Sequence, residues 1–229
     1  MESVIFAAMK IVFSSQSCES TVSAFVFQEK HLKTPLMKNY NDLLKVPPTG
    51  LLPKEGRLLI SSPYYNDTFF NRSVVLLTDI TADATAGLII NKQLPYTVRE
   101  MVGEIRVDEQ IYFGGPVMPE GVFLIHSFNN CKESSRLLDN VYVGYNPVLL
   151  SLIEHNAIPN LRRKFLLGYA GWAKGQLESE ILNDMWVVAE GSYSTVFNTP
   201  ANLVWETAVA NLGDKYSHWL RMPEKIGYN

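Results

Sequence analysis

The segment Gly168-Tyr169-Ala170-Gly171-Trp172, followed after two residues by Gly175-Gln176-Leu177-Glu178-Ser179-Glu180, carries the strongest local signal in the chain. The apolar run at residues 165–169 predicts a strand, and residues 176–183 predict a short helix after it. The glycines here either let backbone approach backbone or cradle an anion with their amides. Trp172 stands at the turn between the two elements, where it either closes the end of a sheet or contributes to a binding surface.

Strand patterns fill the chain upstream of this segment. Runs rich in β-branched and aromatic side chains occupy residues 57–61, 73–78, 87–91, 111–113, 122–128 and 141–145, with one more downstream at 186–189. Because these strands come in runs ahead of most helical signals, they favour an α+β fold over a regular βαβ sheet.

Three helices have recognisable start signals. Thr97 and Glu100 form a capping box ahead of a short helix near Val98, and Asn146-Pro147 supplies an N-cap with proline at the first helical position. Thr199-Pro200 is predicted to cap a final helix that Gly213 ends. The apolar face of this last helix consists of Leu203, Val204, Ala208 and Leu212.

Composition indicates one large domain with a sizeable core. The chain has 229 residues, of which 47% are hydrophobic, and a net charge of −3 that excludes an overall basic field for nucleic acid. Its two cysteines, Cys18 and Cys131, are too few for a disulfide framework, so we expect a reducing cytoplasmic location. The apolar stretch at residues 4–13 is too short to span a bilayer, and no membrane association is expected.

The N-terminal region differs from the rest of the chain. Residues 1–36 show no periodicity and no helix with both caps, so we interpret them as an unstructured or mis-assigned extension. Residues 37–55 form a lead-in in which Pro47 and Pro48 end any short helix. The domain itself is predicted to cover residues 56–229.

Sequence signatures of catalysis are missing. The chain has no GxSxG elbow, no HExxH or CxxC metal spacing, and no phosphate-loop or dinucleotide motif around Gly114-Gly115 or Gly168. We therefore predict no catalytic set, no metal and no cofactor. Glu178 and Glu180 are two positions apart on a helix and point in different directions, so one is expected to meet the fold and the other water.

His126 and a basic run leave two alternatives open. Strand alternation places His126 on one face with Val122, Leu124 and Phe128, where it is either a hydrogen-bonded core residue or part of an unrecognised hydrolase site with Asp67 or Glu178. The basic run at residues 162–164 is either a solvated edge or, together with Lys132 or Arg136, a nucleic-acid surface. Without a recognition helix, sequence-specific DNA binding is expected to be weak or absent.

Taken together, several spaced motifs resemble the YqgE/AlgH family of bacterial proteins over roughly residues 56–222. They are Ser62-Pro63 with Asp67, Phe70, Arg72 and Ser73-Val74-Val75, then Gly87-Leu88-Ile89-Ile90-Asn91, Tyr112-Phe113-Gly114-Gly115-Pro116-Val117, Leu124-Ile125-His126, the 168–180 segment and Trp186. The family usually has a glycine in place of Ala84 or Thr85 and a proline in place of Gln93, which leaves the shape of that loop open.

The resemblance implies a bent mixed β-sheet that forms a barrel-like core with flanking helices. It brings no established reaction or ligand, although relatives are often described as regulators. The leading hypothesis is a non-enzymatic regulator or adaptor that binds an unknown protein or small-molecule partner through glycine-rich turns. The candidate binding surface comprises Asp67, Arg72, Asn91, Gly114, Gly115, His126, Gly171, Trp172, Gln176 and Glu178.

We predict that the functional chain begins at Met37, because Met37-Lys38-Asn39 reads like a natural start and the preceding residues lack structural signals. Mass spectrometry of the endogenous protein tests this start. Peptides from residues 3–33 would contradict it, and deletion of residues 1–36 should leave thermal stability nearly unchanged.

Overall fold

The computed structural model describes residues 49–65 and 67–223. The predictions for residues 1–36, and for most of the lead-in, lie outside this part of the chain. The strands are β1 Leu58–Ser61, β2 Val74–Ile80, β3 Ala84–Ile89, β4 Gln93–Thr97, β5 Gln110–Phe113, β6 Val117–His126, β7 Ser135–Leu138, β8 Val141–Val143, β9 Arg163–Ala173 and β10 Trp186–Ala189. The α-helices are α1 Val98–Val102, α2 Pro147–Glu154, α3 Gln176–Leu182 and α4 Val204–Asn211, with a π-helical turn at Ser194–Asn198 and 3₁₀ segments at Ala201–Leu203 and Asp214–Arg221.

The strands form one mixed sheet in the order β10-β1-β2-β3-β9-β6-β8-β7, and β5 joins it by pairing with both β4 and β9. Every pairing is antiparallel except that of β5 with β9. This sheet with its separate helices confirms the α+β class.

Strand β9 is the element that connects the two halves of the sheet. Its first half runs parallel to β5, with Tyr112 opposite Leu166, whereas its second half runs antiparallel to β3, with Gly87 opposite Ala170. The exchange of partners occurs at Gly168, which has a φ of +66°. A residue without Cβ adopts this left-handed conformation at little cost, so the glycine permits the exchange.

Gly168 also changes which side chains of β9 face which part of the core. Before it, Phe165 and Leu167 pack in one hydrophobic cluster and Leu166 in a second. After it, Ala170 and Trp172 pack in a third cluster. In a regular strand residues two apart share a face, so Leu166 and Ala170 would have faced the same cluster. One strand therefore contributes to all three clusters because its alternation is interrupted.

The barrel-like closure expected from the resemblance is not confirmed. No ladder joins the terminal strands β7 and β10 within the described residues, and the sheet is open. Its two ends nevertheless approach each other, since a Cβ added to Gly56, which precedes β1, would overlap the carbonyl oxygen of Leu137 in β7. Val187 of the terminal strand β10 and Val141 of β8, next to the other terminal strand, share one hydrophobic cluster.

The local start signals agree with the structure at two helices and fail at the third. The Thr97–Glu100 capping box is present, and the Asn146 side chain accepts from the Leu149 amide. Thr199 instead follows the π-helical turn, α4 begins only at Val204, and Leu203 is exposed rather than buried. None of the helices between residues 49 and 223 is long and apolar enough to cross a bilayer.

We predict that Gly168→Ala destabilises the protein by about 3 kcal/mol or more, since the new Cβ would overlap the carbonyl oxygen of Gly115 and crowd that of Val117. Gly175→Ala is the matched control because Gly175 also has a positive φ, +76°, but has open space around the added Cβ. Its cost should be about 1 kcal/mol, from the backbone conformation alone. Equal losses of unfolding free energy in urea would show that the contact at Gly168 is unimportant.

Candidate functional site

A tight turn at residues 67–73 connects several of the sequence-predicted residues. The Asp67 carboxylate accepts from the amides of Phe69 at 2.7 Å and Phe70 at 3.0 Å, which closes the turn. The turn then places the Phe69 ring against Phe113, with centroids 5.6 Å apart, and the Phe70 ring 6.3 Å from that of Trp172. Asp67 thus acts by positioning two aromatic side chains.

Arg72 attaches this turn to the C-terminal region. Its guanidinium lies over the Trp205 ring at 4.6 Å, donates to the carbonyl oxygen of Met222 and is 4.0 Å from the Glu206 carboxylate. Arg72 itself has a φ of +49°, a conformation that costs a non-glycine residue about 1–2 kcal/mol. Its side-chain contacts compensate for this strain.

Asn91 holds the turn from the opposite side. Its side-chain oxygen accepts from the Val74 amide at 2.8 Å, and its side-chain nitrogen donates to the Arg72 carbonyl at 2.9 Å. The neighbouring Lys92 ammonium donates to the Asn71 carbonyl at 2.6 Å. The segment after β3 is therefore joined to the turn by two hydrogen bonds, at Asn71 and Arg72, and to the first residue of β2 by a third.

A groove of about 600 Å³ opens beside the turn. Phe69 forms part of its wall and is 45% exposed, although its ring is stacked on Phe113. Among the described residues of the lining, Lys92 is the charged one and none is acidic. The lining residues are Thr68, Phe69, Asn91, Lys92, Gln93, Leu94, Phe113, Ala201 and Asn202.

The glycine pair after β5 serves close packing. A Cβ on Gly114 would overlap the carbonyl oxygen of Gly168, and one on Gly115 would overlap the backbone of Tyr169. The amide of Gly114 donates to Leu167 at 2.7 Å, and its carbonyl accepts from Ile89 at 2.9 Å. Because the amide and carbonyl of Gly114 hydrogen-bond within the fold, the close-approach interpretation is favoured over an anion cradle.

Trp172 belongs to a buried cluster that a carboxylate organises. One oxygen of Glu180 accepts from the indole nitrogens of Trp172 at 2.7 Å and Trp186 at 2.8 Å, while the other accepts from the Gln176 amide at 2.9 Å. Glu178 is exposed in the same helix. The prediction that one glutamate meets the fold and the other water is confirmed.

Gln176 and Gly171 border this cluster on the outside. Exposed Gln176 also accepts from the Ala173 amide at 3.0 Å, so both ends of its side chain are engaged near the start of α3. Exposed Gly171 lies with Trp172 along a second cleft of about 410 Å³, whose polar residues include Asp79 and Asp83. Burial raises the pKa of Asp79, and the charge of Glu55 adds to the effect.

His126 is a buried structural residue with its ring nitrogens engaged. Its Nε2 lies 2.9 Å from the Ser134 hydroxyl and 3.0 Å from the Gly144 carbonyl, while Nδ1 accepts from the Phe128 amide at 3.1 Å. Burial lowers the pKa of His126 to about 4, so the ring is neutral near pH 7 and its proton resides on Nε2. No carboxylate of the described residues hydrogen-bonds to it, and the hydrolase alternative gains no support.

The interpretation of residues 162–164 as a solvated edge is wrong for Lys164. Its side chain is buried, with the ammonium 2.9 Å from the Ile90 carbonyl and 4.5 Å from the centre of the Tyr112 ring. Burial lowers the pKa of Lys164 to about 8. Arg163 pairs with Glu109, and Arg136 pairs with Asp139, so these residues do not form one continuous basic surface.

The structure thus divides the candidate surface into three places. The first place is the groove region, with Asp67, Arg72, Asn91, Gly114 and Gly115. The second is formed by the end of β9 and by α3, with Gly171, Trp172, Gln176 and Glu178. His126 lies apart from both, among Ser134, Gly144 and Phe128. Sequence analysis missed Phe69, Lys92 and Phe113 as groove residues. The adjacent phenylalanines at 69 and 70, within an otherwise polar loop, were the one available signal.

Comparisons with known proteins agree on one family. Residues 58–217 match the family model described as AlgH-like. A UPF0301 protein of Bacteroides thetaiotaomicron is 33% identical over 193 residues, covering 82% of this chain and 98% of the relative. A UPF0301 protein of Bacteroides fragilis is 31% identical over 192 residues, with coverage of 82% and 97%.

Two solved structures share the fold. The solution structure of the AlgH protein from Pseudomonas aeruginosa superposes with a TM-score of 0.60 and 25% identity, covering 76% of this chain and 95% of that protein. The crystal structure of protein DIP2367 from Corynebacterium diphtheriae gives a TM-score of 0.63 at 22% identity, with coverage of 74% and 92%. The second likeness concerns the fold alone.

We predict that Glu180→Ala lowers the free energy of unfolding by about 2–4 kcal/mol, because it leaves two largely buried indole N–H groups without their acceptor. Glu178→Ala is the matched control, and its exposed side chain should contribute less than about 0.5 kcal/mol. Urea unfolding followed by tryptophan fluorescence measures both. The carboxylate does not organise the cluster if the two variants are equally stable.

Proposed function

The chain belongs to the AlgH-like family, and from this premise we propose that it is a non-enzymatic regulator or adaptor that binds a partner or small ligand in the groove beside Phe69. The observation that carries the proposal is the exposed Phe69 ring, stacked on Phe113 in the wall of the groove. Binding sites combine such apolar walls with a few polar groups that set orientation.

The groove differs from the other candidate positions because some of its side chains remain accessible to a partner. His126, Glu180 and Gln176 direct their polar atoms to partners within the fold. In the groove, the apolar face of Phe69 remains open and amide side chains such as Asn202 lie at the surface. A partner that covers Phe69 would remove apolar area from water and gain the associated free energy.

The alternatives draw on weaker observations. A hydrolase would need a base within hydrogen-bond reach of an accessible reacting group, whereas His126 is fully buried. A nucleic-acid regulator would need a continuous basic surface, and burial of Lys164 interrupts the one that the sequence suggested. We place the regulator in the cytoplasm as part of the proposal, consistent with a free, buried thiol at Cys131.

We predict that Phe69→Ala abolishes the cellular function while the protein stays folded. Leu182→Ala is the matched control, since Leu182 is an 83% exposed apolar residue on α3, outside the groove lining. Both variants should complete the same urea unfolding transition to within about 1 kcal/mol of the parent. Complementation of a strain that lacks the gene provides the readout, and full complementation by Phe69→Ala would overturn the proposed function.

A further inference from the structure

Two lysine ammonium groups bind backbone carbonyls next to the groove residue Asn91 or within the neighbouring turn. The Lys92 ammonium donates to the carbonyl of Asn71 in the turn, and the Lys164 ammonium donates to the carbonyl of Ile90. Ile90, Asn91 and Lys92 are consecutive, and Asn91 lines the groove. From the 2.9 Å hydrogen bond and covalent geometry, the Lys164 ammonium lies no more than about 6 Å from the Cα of Asn91.

No carboxylate of the described residues forms an ion pair with Lys164. Its side chain is 7% exposed, and none of the salt bridges within residues 49–65 and 67–223 includes it. A carbonyl oxygen and the face of Tyr112 solvate the ammonium without neutralising it. Because a buried charge is weakly screened, it contributes positive potential at the groove, although the whole chain carries a net charge of −3.

The groove lining has the matching chemistry. Within residues 49–65 and 67–223, the lining contains the cation Lys92 and no acidic side chain. The Phe69 ring provides a flat apolar surface beside this positive potential, and its stacking on Phe113 fixes its orientation. A flat ring system that stacks on Phe69 would bring an attached anionic group into the field of the two lysines.

We propose that the groove binds a planar aromatic anion, which stacks on Phe69 and places its negative group beside Lys92 with support from the buried charge of Lys164. This inference rests on the proposed function, since it names the class of ligand for the same groove. The remaining polar lining, Thr68, Gln93 and Asn202, supplies hydroxyl and amide groups to orient the ring system.

The test uses two probes that share one flat body and differ in charge, naphthalene-2-sulfonate and 2-naphthalenemethanol. Each is titrated into the ¹⁵N-labelled full chain, and amide shifts give the affinity and the location. The sulfonate should bind about fivefold or more tightly than the alcohol, with shifts at Phe69, Asn91 and Lys92. Equal affinities, or shifts confined to other surfaces, would overturn the inference.

Variants identify the source of the preference. Lys92→Gln should reduce the sulfonate preference to less than about twofold while the alcohol still binds, and Lys174→Gln, an exposed lysine outside the groove, should leave it unchanged. Lys164→Met should also reduce the preference, and an unchanged preference in a folded Lys164→Met protein would remove Lys164 from the site. Phe69→Ala should weaken both probes alike, because both use the ring.

The experiments distinguish failure of the proposed function from failure of the anionic-ligand proposal. A groove that binds both probes equally, in a protein whose Phe69→Ala variant still loses complementation, would retain the proposed function and reject the anionic ligand. A sulfonate preference that depends on Lys92, with full complementation by Phe69→Ala, would retain an anion site and reject its role in the cell.

Discussion

Where β5 ends and β9 bends, the two backbones approach so closely that a methyl group on Gly114, Gly115 or Gly168 would overlap backbone atoms of the facing segment. This contact allows β9 to exchange β5 for β3 as its neighbour. The exchange sends successive side chains of β9 to three separate hydrophobic clusters. Since these clusters contain most of the buried apolar surface, much of the packing depends on the absence of three side chains.

The same contact determines where the groove forms. Phe113 is the last residue of β5, so fixing Gly114 against Leu167 fixes the ring on which Phe69 stacks. The turn at residues 67–73 then has little freedom, because Asp67 closes it and Asn91 joins it to the end of β3. A side chain held in this way loses little further entropy when a partner covers it, which favours binding at Phe69 over binding at a mobile loop.

The sequence predicts those features that depend on near neighbours in the chain. The Thr97–Glu100 capping box, the Asn146 cap and the separate environments of Glu178 and Glu180 follow from spacings of a few residues, and the structure shows each of them. The burial of Lys164 could not be read in this way. Its neighbours Arg162 and Arg163 suggest a solvated edge, whereas its environment comes from Ile90 and Tyr112, which are far away in the sequence.

The residues of the candidate site were also difficult to predict from the sequence, for a related reason. Asp67, Arg72 and Asn91 stand out as polar residues in a family-like pattern, yet their side chains bind backbone groups and shape the turn. Residues that hold a surface in place are specified by local motifs, whereas the surface consists of whatever those motifs bring together. Phe69, Lys92 and Phe113 belong to three different segments, which the turn at residues 67–73 and the β5–β9 contact together bring around one groove. In this fold the recognisable motifs are thus the supports of the candidate site, and its chemistry lies in the less conspicuous residues between them.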